Sequence, residues 1–212
     1  MSVQDPAAVA EEVRRLREQI AHCTNCELHR GAHCAVSGDG PVPAEIMFIG
    51  EAPGFHEDRQ GRPFIGAAGQ FLNDLLHSIG LDREQVYITN VVKHRPPGNR
   101  DPLPDEIAAC QPYLDRQLAL VRPKVVITLG RFSMARWFPG QRISQIHGQP
   151  KQVGDLIVVP MYHPAAALHQ GALRATIEAD FQKLPRILAE MRQRSEVEAA
   201  AAQPKAAQMK LF

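Results

Sequence analysis

Four short runs of this chain are apolar at almost every position: 45–50, 86–92, 125–129 and 156–160. Runs of that length, without polar alternation, predict strands covered on both faces. Between them the apolar positions recur at helical spacing. Leu72, Leu75, Leu76 and Ile79 share a face, and Gly80 closes that helix. Ile107, Cys110, Leu114 and Leu118 share a face of a second helix over 103–121, and a last helix covers 165–192. Strands alternating with helices predict an α/β fold, a three-layer α/β/α arrangement with a four-stranded parallel sheet. Loops 50–66, 90–100, 130–138 and 163–169 then gather at one sheet edge. Open α/β sheets bind ligands at that edge.

The N-terminal segment 7–22 reads as a charged helix, with Glu11, Glu12, Arg14, Arg15, Arg17 and Glu18. It holds no apolar signal core, and no stretch reaches the length of a membrane span. From 194 to 212 the chain turns rich in Ala, Gln and Lys, which predicts a flexible tail behind a single domain over 1–193. The expectation is a monomeric cytosolic protein without a membrane partner. Twenty-four Lys and Arg face 23 Asp and Glu, so no global positive field announces nucleic acid. Any such surface must come from local clustering.

The first loop carries the densest chemistry. Gly50-Glu51-Ala52-Pro53-Gly54-Phe55-His56-Glu57-Asp58 follows the first strand, and Pro63-Phe64-Ile65-Gly66 closes it. Three carboxylates, a histidine and two bulky aromatics are unusual for a purely solvated turn. Cys23-x-x-Cys26 is a metal or redox signal that suits zinc, an iron–sulfur cluster or a dithiol alike. Cys110 is a third candidate ligand, with a small core residue as the plain alternative. The fourth is His94 or Cys34.

Gly50-Glu51-Ala52-Pro53-Gly54, Arg62-Pro63-Phe64-Ile65-Gly66, Thr89-Asn90-Val91-Val92-Lys93, Arg95-Pro96-Pro97, Asn99-Arg100 and His163-Pro164 resemble, in order and spacing, the iron–sulfur uracil-DNA glycosylases called family 4. The resemblance covers roughly residues 15–190. It implies excision of uracil from DNA, leaving an abasic site, and a [4Fe–4S] cluster with ligands at Cys23, Cys26 and Cys110. The fourth ligand position falls on His94, where the family usually has cysteine. A related branch that binds uracil-DNA covalently also has histidine there, but it carries an extra basic loop. Here Pro96 to Pro102 follows the ordinary hydrolase pattern, which favours turnover over a stable complex.

The same resemblance assigns the pocket. Phe64 is the platform for uracil, with Gly50 and Ala52 beside it. Asn90 reads the Watson–Crick edge, since an amide offers both donor and acceptor. His163 donates to uracil O2 as negative charge develops. Glu57 comes first for orienting the water, and Glu51 second, because Ala52 stands where better-known relatives have aspartate. Asp58 is read as a cap. Lys93, Arg95, Asn99 and Arg100, with Arg131 and Arg136, are candidate phosphate contacts, and Leu168 is the candidate wedge. Gln208, Leu211 and Phe212 resemble a peptide by which bacterial repair proteins dock on the sliding clamp. A zinc-stabilised nucleotide-binding protein is the remaining alternative, and no Gly-x-x-x-x-Gly-Lys loop supports it.

Overall fold

The computed structural model describes residues 5–202. Gln208, Leu211 and Phe212 therefore lie outside the described residues. In chain order the elements are α1 (Pro6–Ala21), α2 (Leu28–Gly31), β1 (Ile46–Gly50), α3 (Phe55–Gln60), α4 (Ala67–Ser78), β2 (Tyr87–Asn90), α5 (Pro104–Val121) and β3 (Val125–Leu129). They continue with α6 (Arg131–Ala135), α7 (Ile143–Ile146), β4 (Lys151–Val153), β5 (Leu156–Met161), α8 (Pro164–His169), α9 (Ala172–Phe181) and α10 (Leu184–Ala202).

The sheet order is β2-β1-β3-β5-β4. The four strands expected from the sequence are parallel to one another, and β1, β2, β3 and most of β5 are buried along their length. A fifth strand, β4, pairs antiparallel with β5 at the edge, so the sheet is mixed. Its Lys-Gln-Val sequence is short and largely exposed, as an edge strand tolerates.

Successive residues point to opposite faces of the sheet. Ile46 and Phe48 of β1 pack with Leu72, Leu75 and Leu76 of α4 and Phe181 of α9, while Met47 and Ile49 pack with Cys110 and Leu114 of α5. The helix expected over 165–192 is broken into α8, α9 and α10, with turns at 170–171 and 182–183. The last of these continues beyond residue 194 to Ala202. No helix among the described residues is long and apolar enough to cross a membrane.

Two strand pairings place the site. Gly50 at the end of β1 lies opposite Asn90 at the end of β2, and Leu129 of β3 lies opposite Met161 of β5. The strands stay parallel, but from β1 the chain winds first to β2 on one side and then to β3 on the other, and that change of winding is the switch point where a crevice opens beyond the strand ends.

Candidate active site

A cavity of about 490 Å³ occupies that crevice. Glu51, Ala52, Pro53 and Gly54 follow β1 into its wall, Glu57 enters from α3, and Phe64 from the loop before α4. Asn90 comes from β2, Pro96 to Asp101 from the loop after it, and His163, Ala165, Ala166 and His169 from the turn after β5 and from α8.

Gly50 is required here by close approach. A Cβ on it would lie 2.4 Å from Asn90 Oδ1 and 2.6 Å from the Phe64 ring. Asn90 is 1 % exposed, and its Oδ1 has no hydrogen-bond partner. A buried acceptor without a partner is uncommon, and at a cavity wall it marks where a donor should arrive.

Phe64 is held in the left-handed region, at φ 52°. Non-glycine residues stay there only when their surroundings hold them. Arg83 does so by donating to the Phe64 carbonyl at 2.9 Å and to the Pro63 carbonyl. Gly69 of α4 makes room for this backbone, because any Cβ there would lie 1.9 Å from the Phe64 carbonyl oxygen. The Phe64 ring stacks on His163, with centroids 5.4 Å apart and an interplanar angle of 27°.

His163 caps α8, and its Nδ1 accepts from the Ala165 amide at 3.1 Å. An accepting Nδ1 leaves the ring proton on Nε2. Loss of solvent pushes the imidazole down to about 4, with the Glu57 carboxylate only partly opposing. The ring is therefore a neutral donor at physiological pH.

Glu57 Oε1 accepts from the Ile65 amide at 2.9 Å and the Gly66 amide at 2.8 Å. These bonds fix the carboxylate against the start of α4. Glu51 is partly buried, and burial pushes its carboxyl upward. Asp101 adds to that push and Arg131 opposes it. Asp101 also lines the cavity and pairs with Arg131. The sequence reading missed it, although it stands directly after Asn99-Arg100 and its carboxylate was the available signal.

Not all candidates for phosphate contact face outward. Lys93 is 1 % exposed, and its ammonium donates to Thr89 Oγ1 at 2.9 Å, to Gln117 Oε1 at 2.7 Å and to the Asn90 carbonyl. It cannot reach a phosphate from there, which corrects the expectation. The Lys-His-Arg run is basic in sequence, but the loop after β2 turns Lys93 inward against acceptors on β2 and α5. Arg100 is bound through both nitrogens to Glu106, and Arg136 to Asp115 at 2.6 Å. Arg95 bonds Asn99 Oδ1 at 2.7 Å. Leu168 of α8 is 50 % exposed.

The cysteines divide. Cys110 and Cys26 are both raised by burial, and each is raised further by neighbouring cysteines: Cys23 for Cys26, and Cys23 and Cys26 for Cys110. The Lys93 main-chain amide donates to the Cys110 sulfur, and Tyr113 is bonded to Cys23. Cys34 instead donates its thiol to the Asp58 carbonyl at 2.8 Å. Asp58, read as a cap, is buried and accepts through Oδ1 from the His33 amide at 2.8 Å. His94 is buried; desolvation lowers its imidazole, His29 lowers it further and Asp58 opposes. His29 in turn donates to the Cys26 carbonyl at 2.7 Å. Among the described residues, no three His, Cys, Asp or Glu side chains form a ready-made metal-ligand group.

Comparison with known proteins follows the same residues. The family model described as the uracil DNA glycosylase superfamily matches residues 37–186. The chain is 47% identical over 184 residues to a type-4 uracil-DNA glycosylase of Sulfurisphaera tokodaii, covering 82% of this chain and 84% of that protein. A type-4 uracil-DNA glycosylase of Saccharolobus solfataricus is 45% identical over 190 residues, with 85% of each chain covered. One from Archaeoglobus fulgidus is 45% identical over 183 residues, covering 82% of this chain and 92% of that protein.

Proposed function

We infer the chemistry of the cavity from its family: the chain belongs to the uracil DNA glycosylase superfamily and, within it, to the type-4 uracil-DNA glycosylases. It excises uracil from DNA, an act of repair that leaves an abasic site. A base inside a duplex must leave the stack to be reached, so the cavity receives a flipped nucleotide. The observation that carries the residue assignments is the unpartnered Asn90 Oδ1 between Gly50 and Phe64. Uracil N3–H supplies the missing donor, while cytosine presents a bare acceptor there and leaves two acceptors facing each other.

In this reading Phe64 supports the pyrimidine and Gly50 and Ala52 leave room for it. The C1′–N1 bond breaks with its electron pair going to uracil, and His163 Nε2–H donates to the O2 that gains charge. Water forms the new bond to C1′, and the proton it gives up neutralises the released uracil anion. Glu57 orients that water through Oε2, because its Oε1 is occupied by two amides. Glu51 is the second carboxylate of the wall. Arg95, Asn99 and Arg100 are proposed to contact phosphate, and Leu168 to fill the space the base vacates. A matched pair of strands, one with uracil and one with thymine, tests the whole. Free uracil and an alkali-labile site should form only from the first. A stable protein–DNA adduct without uracil release would select the covalent alternative.

A [4Fe–4S] cluster held by Cys23, Cys26, Cys110 and His94 belongs to the same proposal. Its donor set fits: desolvation and neighbouring cysteines raise the Cys26 and Cys110 thiols, a cost relieved when a cationic centre takes the thiolate charge, and His94 is held toward its neutral, ligating form. When bound, the cluster would supply a cross-link between α1, the loop after β2 and α5, and electron transfer where a partner exists. Cys34→Ala should keep iron and visible colour, whereas His94→Ala should lose most of the iron. The reverse pattern would hand the fourth position to Cys34, and a colourless zinc protein would replace the cluster. We further place the protein in the cytoplasm as a monomer, with residues 208–212 as a clamp-docking peptide. Removing them should abolish binding to a bacterial sliding clamp.

A further inference from the structure

Phe55 is the most exposed large apolar side chain among the described residues, at 53 %. It is not a stray surface residue. The preceding Gly54 lines the cavity, and Phe55 opens α3, which carries Glu57 into it. The Arg95 guanidinium lies over the phenyl ring, 5.2 Å from its centroid, and the His56 ring meets its edge at 5.5 Å. Arg95 is itself held, since its Nε donates to Asn99 Oδ1 at 2.7 Å, and both Pro96 and Asn99 line the cavity. A flat aromatic surface is thus propped from one side by a cation at the rim of the uracil cavity. More than half of its area faces solvent.

We propose that Phe55, backed by Arg95, is a stacking platform for an unpaired nucleobase next to the flipped uracil. The inference rests on the family reading of the cavity and adds the residue that holds the base beside it. Its occupant follows from continuity and charge. A strand whose uracil fills the cavity must pass over the rim, and Arg95 offers its backbone a positive charge where the chain as a whole has almost none. Bases in a duplex already stack on their neighbours, so a free aromatic face gains most from a base that has none. A phenyl ring accepts any base, so the platform adds affinity without sequence preference.

The test uses the full chain and a single-stranded oligonucleotide carrying one 2′-fluoro-deoxyuridine, which resists cleavage. Phe55→Ala should weaken binding about tenfold, the usual size of one aromatic–base stack, and Phe55→Trp should restore it. The loss for the single strand should exceed that for the same strand in duplex. With cleavable substrate, the rise in KM should exceed any fall in kcat. Val153→Ala, which trims an exposed apolar residue on β4 at the far edge, should bind as wild type does. If wild-type protein releases uracil but Phe55→Ala binds both strands equally well, the platform is wrong and the family reading stands. If wild-type protein releases no uracil, the family reading itself fails. Self-association of the wild type that Phe55→Ala abolishes, with DNA binding unchanged, would assign the ring to a second copy and overturn the proposal.

Discussion

His163→Ala is expected to lower the rate of uracil release by about 10² to 10³-fold, the usual cost of losing one preorganised donor to a developing anion. The loss should fall mainly on kcat, because the Nε2–H bond to O2 strengthens only as charge leaves the sugar. The fixed tautomer matters as much as the ring. With Nδ1 accepting from the Ala165 amide, the donor already points away from the backbone before substrate arrives. The pH dependence follows from an imidazole held at about 4. The wild-type profile should show no histidine limb between pH 5 and 8. Stability moves in the same sense. The unfolded chain takes up the proton first, near the ordinary 6.5, so the contribution is complete above that pH and is lost as pH falls toward 4. His163→Ala should therefore unfold with a shallower acid dependence than wild type over that window. Single-turnover rates and thermal melts between pH 4 and 8 measure both effects. A titration near 6.5 in the wild-type rate, absent from the variant, would contradict the neutral-donor role.

Gly50→Ala is the second large effect, and it needs only one methyl group. That carbon would sit 2.4 Å from Asn90 Oδ1 and 2.6 Å from two Phe64 ring carbons, far inside contact distance. Neither neighbour can step aside cheaply. Asn90 ends a buried strand, and the Phe64 backbone is held by Arg83. Overpacking of this kind costs about 1–3 kcal/mol of stability. The functional loss should be larger, about a hundredfold in kcat/KM, because the methyl displaces both Asn90 and Phe64, the proposed edge reader and platform. Inhibition by free uracil should weaken in parallel, while far-UV circular dichroism at 25 °C keeps its shape. Wild-type excision by a folded Gly50→Ala protein would remove Gly50 from the pocket.

The cavity was legible because its parts stand at strand ends, and buried strands announce themselves as uninterrupted apolar runs. Gly50 and Asn90 end such strands and His163 follows one, so topology alone brings them together. Side-chain direction was less legible. Lys93 sits in a basic tripeptide, yet its side-chain acceptors come from Thr89 on the preceding strand and Gln117 on α5. No local pattern joins those two. The edge strand β4 was hidden because polar Lys-Gln needs no core, and it forms by hairpin pairing to β5. The breaks between α8, α9 and α10 were hidden for the opposite reason. Ile177 and Phe181 on one side of the second turn, and Leu184 and Leu188 on the other, enter one core, so the apolar rhythm runs on through the turn. Asp101 was passed over because the neighbouring Arg100 drew the chemical reading, although Arg100 is engaged by Glu106.

The left-handed backbone of Phe64 has a bearing on how this site can change over generations. Arg83 and Gly69 do not line the cavity, yet Arg83 binds the Phe64 carbonyl and Gly69 leaves the space it occupies. Drift at either position would reach the base-binding face as directly as drift at Phe64 itself. A branch of relatives altering its choice of damaged base has therefore two routes: exchange of the aromatic, or a slight release of its backbone from behind. The second leaves every pocket-lining identity unchanged. It would be invisible to any comparison that examines only the residues around the cavity.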